Sequence, residues 1–318
     1  MTLQTTVLGA SGLAGGELIR ILDDHDGFDL VHLGAHSHEG GTLADVHPQL
    51  RNGTRPLGAI SAEVGPLDIA FLALPHGASA ALGRELREQG VKVVDLGSDY
   101  RFDPQWRYGL PELFDVKDGS AVASPGCYPT AILLAIGPLV QAGVVSATGI
   151  VADCMSGVTG AGRSLKDELL FGEVAEGVRA YGIANHRHRA EIEMGLELLG
   201  ATEAIVTFTP HLVPMQRGLL ATVTTQLLTD DNPSEVLAAA YTEAPFVEVI
   251  DRPPQTRWTV GSNRALVAAF VDERQGVVIA QCAIDNLGKG AAGQAVQAAN
   301  LMVGYDETEG LTTSGWMP

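Results

Sequence analysis

Cys127 is a candidate nucleophile because of what surrounds it in the sequence. It follows the tight turn at Pro125-Gly126 and precedes an apolar helix whose first turn accepts Pro129. Partial positive charge at a helix N-terminus stabilises a thiolate, which would make this thiol reactive near neutral pH. A buried, inert cysteine is the alternative, and Cys154 and Cys282 fit it because each lies within an apolar strand-like run. For Cys127 the turn and the helix favour catalysis.

A second segment concentrates ionisable groups in six residues, from His186 to Glu191. It could supply a general acid/base, a carboxylate that orients it, and guanidinium groups for an anionic substrate. Two histidines at positions i and i+2 would point to opposite sides of an extended chain, and no third ligand is evident, so no metal site is predicted. A solvated, charged helix start is the alternative interpretation.

A glycine-rich turn follows the first predicted strand and opens the first predicted helix. Its G-x-x-G-x-x-G spacing allows a tight turn and close approach of the backbone to a pyrophosphate, whose charge the helix N-terminus then stabilises. Packing alone is the alternative use of such a turn, but its position favours nucleotide binding. The predicted contacts are Gly9, Ala10, Ser11, Gly12, Leu13 and Ala14.

The end of the second predicted strand bears on the choice of dinucleotide. An acidic residue there usually holds the ribose 2′-hydroxyl of NAD. Here the strand is followed by His36 and Ser37, and the first carboxylate is Glu39. These polar and imidazole groups favour a 2′-phosphate, so NADP is the predicted cofactor. Pro75, after the third predicted strand, is a further candidate contact, because ligands bind at this edge of doubly wound sheets.

Composition excludes several classes of protein. The 318 residues suggest about two domains, and 46% hydrophobic content provides a sizeable core. A net charge of −18 argues against nucleic acid and anionic membranes as partners. The only near-continuous apolar stretch, 130–145, is too short and too interrupted to cross a membrane. Three cysteines without close metal-ligand spacing, and a start without a basic leader, lead us to expect a cytoplasmic protein.

Hydrophobic patterning divides the chain into two parts. The first 125 residues alternate short apolar runs with helical stretches, which predicts an α/β fold with a Rossmann-type, doubly wound parallel sheet. From about Gly149 longer strand-like runs follow one another, which predicts an α+β domain with a mostly antiparallel sheet and a hairpin at 273–276. The predicted domains are residues 1–126 with 286–318 for the dinucleotide, and 127–285 for catalysis and oligomerisation.

With these motifs in hand, the chain resembles the N-acetyl-gamma-glutamyl-phosphate reductase family, relatives of the aspartate semialdehyde dehydrogenases. The resemblance extends over nearly the whole length, which makes coincidence implausible. The segments that carry it are Gly9–Gly15, Phe71–Gly77, Asp95–Arg101, Tyr108–Leu113, Pro125–Thr130, Ser156–Gly162, His186–Glu191, Pro210–Gly218 and Ile284–Gln297.

The resemblance implies NADPH-dependent reductive dephosphorylation of N-acetyl-L-glutamyl 5-phosphate in arginine biosynthesis, through a cysteine thioester in a homodimer or homotetramer. It implies that Cys127 is the nucleophile, His188 the acid/base and Glu191 the residue that orients it. Arg101 is the implied ligand of the phosphate. The other implied substrate contacts are His186, Arg187 and Arg217, and the other implied cofactor contacts are Ser156, Gly157 and Asn286.

Two departures from the family pattern and two alternative functions accompany this prediction. Ser124 stands where typical members have asparagine, and His36 stands where they have arginine. The second departure weakens the argument for NADP, because neutral imidazole binds anions less well than guanidinium does.

One alternative is a reductase of carrier-protein-bound aminoadipyl or glutamyl phosphate, although the negative net charge disfavours an acidic carrier. The other is a non-catalytic NADP-binding module, in which the thiol would be no more reactive than free cysteine.

Overall fold

The computed structural model of the protein describes residues 2–316 and divides them into two compact units. Unit 1 contains residues 2–125 and 291–311, and unit 2 contains residues 126–290 and 312–316. The chain thus leaves unit 1 after Pro125, completes most of unit 2, and returns to unit 1 for its last helix. Helices and strands are numbered below along the chain.

Unit 1 is built on a parallel six-stranded sheet in the order β2-β1-β3-β4-β6-β5. Each hydrogen-bonded pair of neighbouring strands is parallel, as predicted. The strands are β1 Leu3–Leu8, β2 Phe28–Gly34, β3 Ile69–Leu72, β4 Lys92–Asp95, β5 Arg107–Tyr108 and β6 Ala121–Ala123.

Helices cover both faces of this sheet. Val7 and Leu8 are neighbours on β1, so their side chains point to opposite faces. Leu18 of α1 belongs to the core cluster around Val7, whereas Leu86 of α3 belongs to the cluster around Leu8. This arrangement confirms the predicted doubly wound fold. The helices of unit 1 are α1 Leu13–Leu22, α2 Leu43–Val46, α3 Ala80–Glu88 and α8 Gly293–Val303.

Unit 2 contains a seven-stranded sheet in the order β11-β12-β13-β10-β7-β9-β8. Four of its six neighbouring pairs are antiparallel, and β7–β9 and β11–β12 are parallel, so the mostly antiparallel prediction is confirmed. The strands are β7 Ile150–Ser156, β8 Arg179–Ala180, β9 Val206–Leu212, β10 Leu219–Gln226, β11 Val247–Val249, β12 Ala265–Asp272 and β13 Val277–Ile284.

One helix forms the centre of unit 2. Every residue of α4 from Tyr128 to Val140 is buried, and α4 packs on the sheet and beside α6. Burial alternates along β7, so this strand has one covered face and one exposed face. The predicted hairpin is confirmed, because β12 and β13 pair antiparallel and Gly276 N donates to Asp272 O. The helices of unit 2 are α4 Cys127–Gln141, α5 Phe171–Val174, α6 His188–Leu198 and α7 Pro233–Ala240.

The C-terminal boundary differs from the one expected from the sequence, which placed residues 286–318 with the N-terminal domain. The structure places Gly126, residues 286–290 and residues 312–316 in unit 2. The last of these segments is held there because Asn263 N donates to Thr312 O at 2.8 Å and Trp316 N donates to Val260 O at 3.1 Å. Residues 1, 317 and 318, also assigned to that domain, lie outside the described part of the chain. Within residues 2–316, no helix is long and apolar enough to cross a membrane.

Candidate active site

The glycine turn in unit 1 is shaped by close backbone contacts. Gly9 has a φ of +102°, and a Cβ there would lie 2.2 Å from the carbonyl oxygen of Ala73. A Cβ at Gly15 would lie 2.2 Å from Gly9 O. Gly12 is the N-cap of α1, whose first turn contains no acidic residue. The residues therefore fit a pyrophosphate, since the glycines permit this tight turn and the helix N-terminus that follows it attracts negative charge.

The remaining predicted nucleotide contacts in unit 1 have different surroundings. Ala10 is fully buried, whereas Ser11, Leu13 and Ala14 are partly accessible at the start of α1. His36 and Ser37 are exposed just after β2, and Pro75 is exposed after β3. All of them follow the carboxyl ends of parallel strands, where this class of sheet binds its ligands.

Arg101, the predicted phosphate ligand, also belongs to unit 1 and is 6% exposed. Its Nε donates to Ser124 O at 3.0 Å, and its Nη2 donates to Leu96 O at 3.1 Å. These bonds to backbone carbonyls fix the direction of the guanidinium group. A positioned guanidinium loses little entropy when it binds an oxyanion.

Cys127 is the first residue of α4, with Gly126 as the N-cap. It is partly accessible, whereas Cys154 and Cys282 are completely buried, and burial raises the pKa of the Cys154 thiol well above its usual value. The chain passes Cys127 closely at Gly290, where a Cβ would lie only 2.8 Å from the Cys127 Cβ. Of the three thiols, Cys127 has the position and the access that a nucleophile needs.

Two contacts between α4 and α6 bring Cys127 and the predicted acid/base segment together. At the start of both helices, Gly126 N donates to Glu191 Oε1 at 2.9 Å. Further along both helices, Gly195 of α6 packs so closely on Leu133 of α4 that a Cβ on the glycine would lie 2.6 Å from Leu133 Cδ1. Because both contacts advance in the same direction along the two helices, α4 and α6 run parallel and begin at the same end of unit 2.

Aromatic rings surround the start of α6. His188 is 6% exposed, and its backbone N donates to Nδ1 of His186 at 3.1 Å. The ring centroids of His186 and His188 are 4.8 Å apart, and the Tyr128 ring lies 6.0 Å from each. Tyr181 OH donates to Tyr128 OH at 3.1 Å. The residue after Cys127 is therefore part of the same cluster as both histidines.

Burial keeps His186, Tyr181 and Tyr128 uncharged. It lowers the pKa of His186 to about 4, with a smaller contribution from the positive charge of Arg187, so this imidazole is neutral at pH 7. Burial also raises the pKa of Tyr181 to about 12 and raises the pKa of Tyr128 strongly. His186 is therefore a neutral hydrogen-bonding group rather than a cation, and Arg187 is exposed beside it.

Arg217, predicted to bind a substrate carboxylate, forms a two-pronged ion pair with a carboxylate of the protein. Its Nε and Nη2 lie 3.0 and 2.9 Å from the two carboxylate oxygens of Asp285, which is completely buried. Gly261 N also donates to this carboxylate at 2.6 Å. The geometry gives Arg217 a structural role, since it anchors the loop between β9 and β10 to the end of β13.

The other predicted cofactor contacts lie together in unit 2. Asn286 accepts from Gly218 N at 2.8 Å and donates to Thr159 Oγ1 at 2.9 Å. Gly157 N donates to Gly218 O, and Ser156 Oγ donates to Gly157 O at 3.2 Å. Ser156, Gly157 and Asn286 therefore form one hydrogen-bonded group, although their positions in the sequence are far apart.

Three residues of the candidate site, Tyr128, Tyr181 and Asp285, could not be predicted from the sequence motifs. Tyr128 lies in an apolar run and Tyr181 in a loop. Tyrosines in such settings commonly serve packing alone, so the sequence around them does not indicate a functional role. Asp285 could have been noticed as an acidic residue at the end of an apolar strand. No group of three or more His, Cys, Asp or Glu side chains within residues 2–316 could hold a metal ion.

Comparison with known proteins assigns both parts of the chain. Residues 4–118 match the family model "Semialdehyde dehydrogenase, NAD binding domain", and residues 127–286 match "Semialdehyde dehydrogenase, dimerisation domain". The N-acetyl-gamma-glutamyl-phosphate reductase of Salinispora tropica is 45% identical, with all of both chains covered. The protein of the same name from Moorella thermoacetica is 38% identical over 99% of this chain and 100% of its own.

Solved structures share the fold at lower sequence identity. Aspartate semialdehyde dehydrogenase II of Vibrio cholerae has a TM-score of 0.76 and 20% identity, with 95% of this chain and 98% of that chain covered. Aspartate semialdehyde dehydrogenase of Candida albicans, solved with NADP, has a TM-score of 0.76 and 17% identity, with 95% and 99% covered.

Proposed function

The chain belongs to the N-acetyl-gamma-glutamyl-phosphate reductase family, and from this premise we propose that it reduces N-acetyl-L-glutamyl 5-phosphate to N-acetyl-L-glutamate 5-semialdehyde in arginine biosynthesis. The observation that carries the proposal is the parallel pair α4 and α6. Their contact at Gly126 and Glu191 brings the helix starts at Cys127 and His188 to one end of unit 2. A thiol and an imidazole at one site are the groups that acyl transfer through a thioester requires.

In the first step the Cys127 thiolate attacks the acyl carbon of the substrate. A new C–S bond forms, the bond from carbon to the phosphate oxygen breaks, and inorganic phosphate leaves with the electron pair. The start of α4 favours the thiolate, whereas the nearby carboxylate of Glu191 opposes it. His188, at the same end of unit 2, accepts the thiol proton and so favours ionisation.

In the second step the thioester is reduced to the aldehyde, and His188 gives up the proton and then takes it back. When bound, a reduced nicotinamide would supply the hydride that reduces the thioester carbonyl. His188 donates a proton to the oxygen as it becomes negative and removes it as the C–S bond breaks, which releases the aldehyde and regenerates the Cys127 thiolate. Glu191 holds the start of α4 through Gly126 N and is proposed to orient His188.

We propose NADP as the cofactor, with its pyrophosphate at Gly9–Ala14 and its 2′-phosphate near His36 and Ser37. Both residues are exposed, and no carboxylate follows β2 before Glu39. Pro75, Ser156, Gly157 and Asn286 are the other proposed contacts. For the substrate, Arg101 is proposed to bind phosphate, and His186 and Arg187 the remaining polar groups. A substrate carboxylate could bind Arg217 only if Arg217 kept its ion pair with Asp285 at the same time.

We also propose that the protein is a cytoplasmic homo-oligomer, a homodimer or homotetramer. The matched dimerisation domain supports assembly, as does the exposed face of the unit 2 sheet, where Val151 and Met155 are 40% and 47% exposed. The cytoplasmic location is supported by three cysteine thiols that form no disulfide with one another.

The reverse reaction tests the proposed function. Wild-type protein should reduce NADP in the presence of N-acetyl-L-glutamate 5-semialdehyde and phosphate, faster than it reduces NAD. Cys127→Ala should lose the activity, and Cys154→Ala is the matched control because that thiol is fully buried in β7. Equal activity in wild type and Cys127→Ala would refute the proposal.

A further inference from the structure

A buried histidine of unit 1, His47, is not used by the proposed mechanism. It follows the short helix α2 and is 2% exposed. Its Nε2 donates to the carbonyl oxygen of Ala10 at 2.9 Å. Ala10 belongs to the glycine turn at which we place the pyrophosphate, so a side chain 37 positions further along the chain is bonded to the backbone of that turn.

The imidazole also packs against the helix that follows the turn. Gly16 lies in the first turn of α1, and a Cβ there would be 2.3 Å from Cε1 of His47 and 2.7 Å from each ring nitrogen. A larger residue at this position would displace the ring, because atoms cannot approach so closely. Gly16 therefore leaves the space that the imidazole needs in order to reach Ala10.

The hydrogen bond from His47 fixes the direction of one peptide group in the turn. The Ala10 carbonyl and the Ser11 N–H belong to the same peptide, and no peptide bond within residues 2–316 is cis, so the two groups point in opposite directions. With the carbonyl held towards His47, the N–H is directed away from it. Ser11 N has no acceptor among the described residues. Such an N–H beside a helix N-terminus is a donor for an anion.

The segment that carries His47 is held in place by its own backbone. Leu43 N donates to Arg55 O at 2.9 Å, and Ala44 N donates to Gly53 O at 2.9 Å. Neither hydrogen bond involves the imidazole. A substitution of His47 should therefore leave α2 folded, together with the proposed 2′-phosphate site that precedes it in the chain.

We infer that His47 is a positioning residue for the dinucleotide, because it holds the Ala10 carbonyl and thereby directs the Ser11 N–H to the pyrophosphate. The inference rests on the proposed function, which places a dinucleotide at this turn. NADP and NAD share the pyrophosphate, so His47 contributes equally to the binding of both and does not affect the preference between them. A ligand without a pyrophosphate binds independently of His47.

The test compares two ligands by calorimetric titration of the full chain. ADP carries a pyrophosphate, and adenosine 2′-monophosphate does not. His47→Leu removes the donor and should weaken ADP binding about three- to tenfold, as expected for one hydrogen bond, with the affinity for adenosine 2′-monophosphate unchanged. Its binding of NADP and NAD should weaken by one common factor. His47→Gln keeps an N–H donor at a similar distance from the backbone and should restore most of the ADP affinity.

Two further variants separate positioning from a general loss of structure. Gly16→Ala keeps the imidazole but displaces it, so ADP binding should weaken as in His47→Leu, although alanine favours the helix. His25→Leu is the control, because it replaces another buried histidine of unit 1 at the opposite end of β1. His25 accepts from Gly27 N, and Gly27 O accepts from Leu3 N. This variant should bind ADP as wild type does.

Three results would overturn the role of His47. They are wild-type ADP affinity in His47→Leu or Gly16→Ala, an equal loss of ADP and adenosine 2′-monophosphate binding in His47→Leu, and an ADP affinity of His47→Gln no better than that of His47→Leu. These results leave the proposed cofactor site intact as long as wild type binds NADP. If wild type itself binds neither ADP nor NADP, the proposed cofactor site fails, and the role of His47 fails with it.

Discussion

Replacement of Gly290 by alanine should reduce turnover while leaving the fold intact. The added methyl carbon would lie 2.8 Å from Cys127 Cβ, 3.1 Å from Asp285 O and 3.2 Å from Ile284 Cδ1. Ordinary contact begins at 3.4 Å, so the first pair of atoms must separate by about 0.6 Å. Since a shift of about 1 Å at a reacting group costs up to ~100-fold in rate, we expect kcat to fall about tenfold or more.

The assay for Gly290→Ala is steady-state turnover of the reverse reaction, together with urea denaturation and Cys127 labelling. Overpacking should cost about 1–3 kcal/mol in the free energy of unfolding, which leaves the protein folded for the kinetic measurement. Gly119→Ala is the matched control, because a methyl group there meets nothing closer than 3.3 Å and lies in unit 1. Wild-type kcat and an unchanged labelling rate in folded Gly290→Ala would refute the argument that this glycine positions Cys127.

Two further variants test the electrostatics. Burial raises the pKa of Asp95 from 3.8 to about 6, so its contribution to stability is complete below about pH 4 and is lost as the pH rises through 6. Because of Asp95, the free energy of unfolding of wild type should fall by about 3 kcal/mol between pH ~4 and pH ~7, and this part of the fall should be absent in Asp95→Asn. Urea denaturation at both pH values measures it, and an equal fall in the variant would contradict the prediction. Glu191→Gln keeps an oxygen that can accept from Gly126 N but removes a negative charge beside Cys127, so the iodoacetamide labelling profile should move to lower pH. A profile that stays in place or moves to higher pH would show that this charge does not oppose the thiolate.

The parts of the fold that local signals specify were predicted well. The turn at Gly9 and the start of α1 follow from glycine spacing and apolar periodicity. The strands β5 and β6, of two and three residues, were not predicted, because so short a run carries no periodicity and pairing with distant strands decides it.

The candidate site shows the same division between local and distant information. The turn before Cys127 and the charged start of α6 are local, so both were recognised in the sequence. The hydrogen bond from Gly126 to Glu191 joins residues 65 positions apart, and the ion pair of Arg217 joins it to a residue 68 positions away. Such partners depend on how elements pack, so the ion pair between Arg217 and Asp285 was not predicted from the sequence.

In the proposed mechanism, Cys127 forms a covalent thioester with the acyl group of the substrate. Mass spectrometry of the protein mixed with N-acetyl-L-glutamyl 5-phosphate, in the absence of reduced nicotinamide, measures this directly. We expect one added acyl group on the peptide that contains Cys127, release of one phosphate, and no adduct in Cys127→Ala. An unmodified Cys127 peptide, or an equal adduct in the alanine variant, would contradict it.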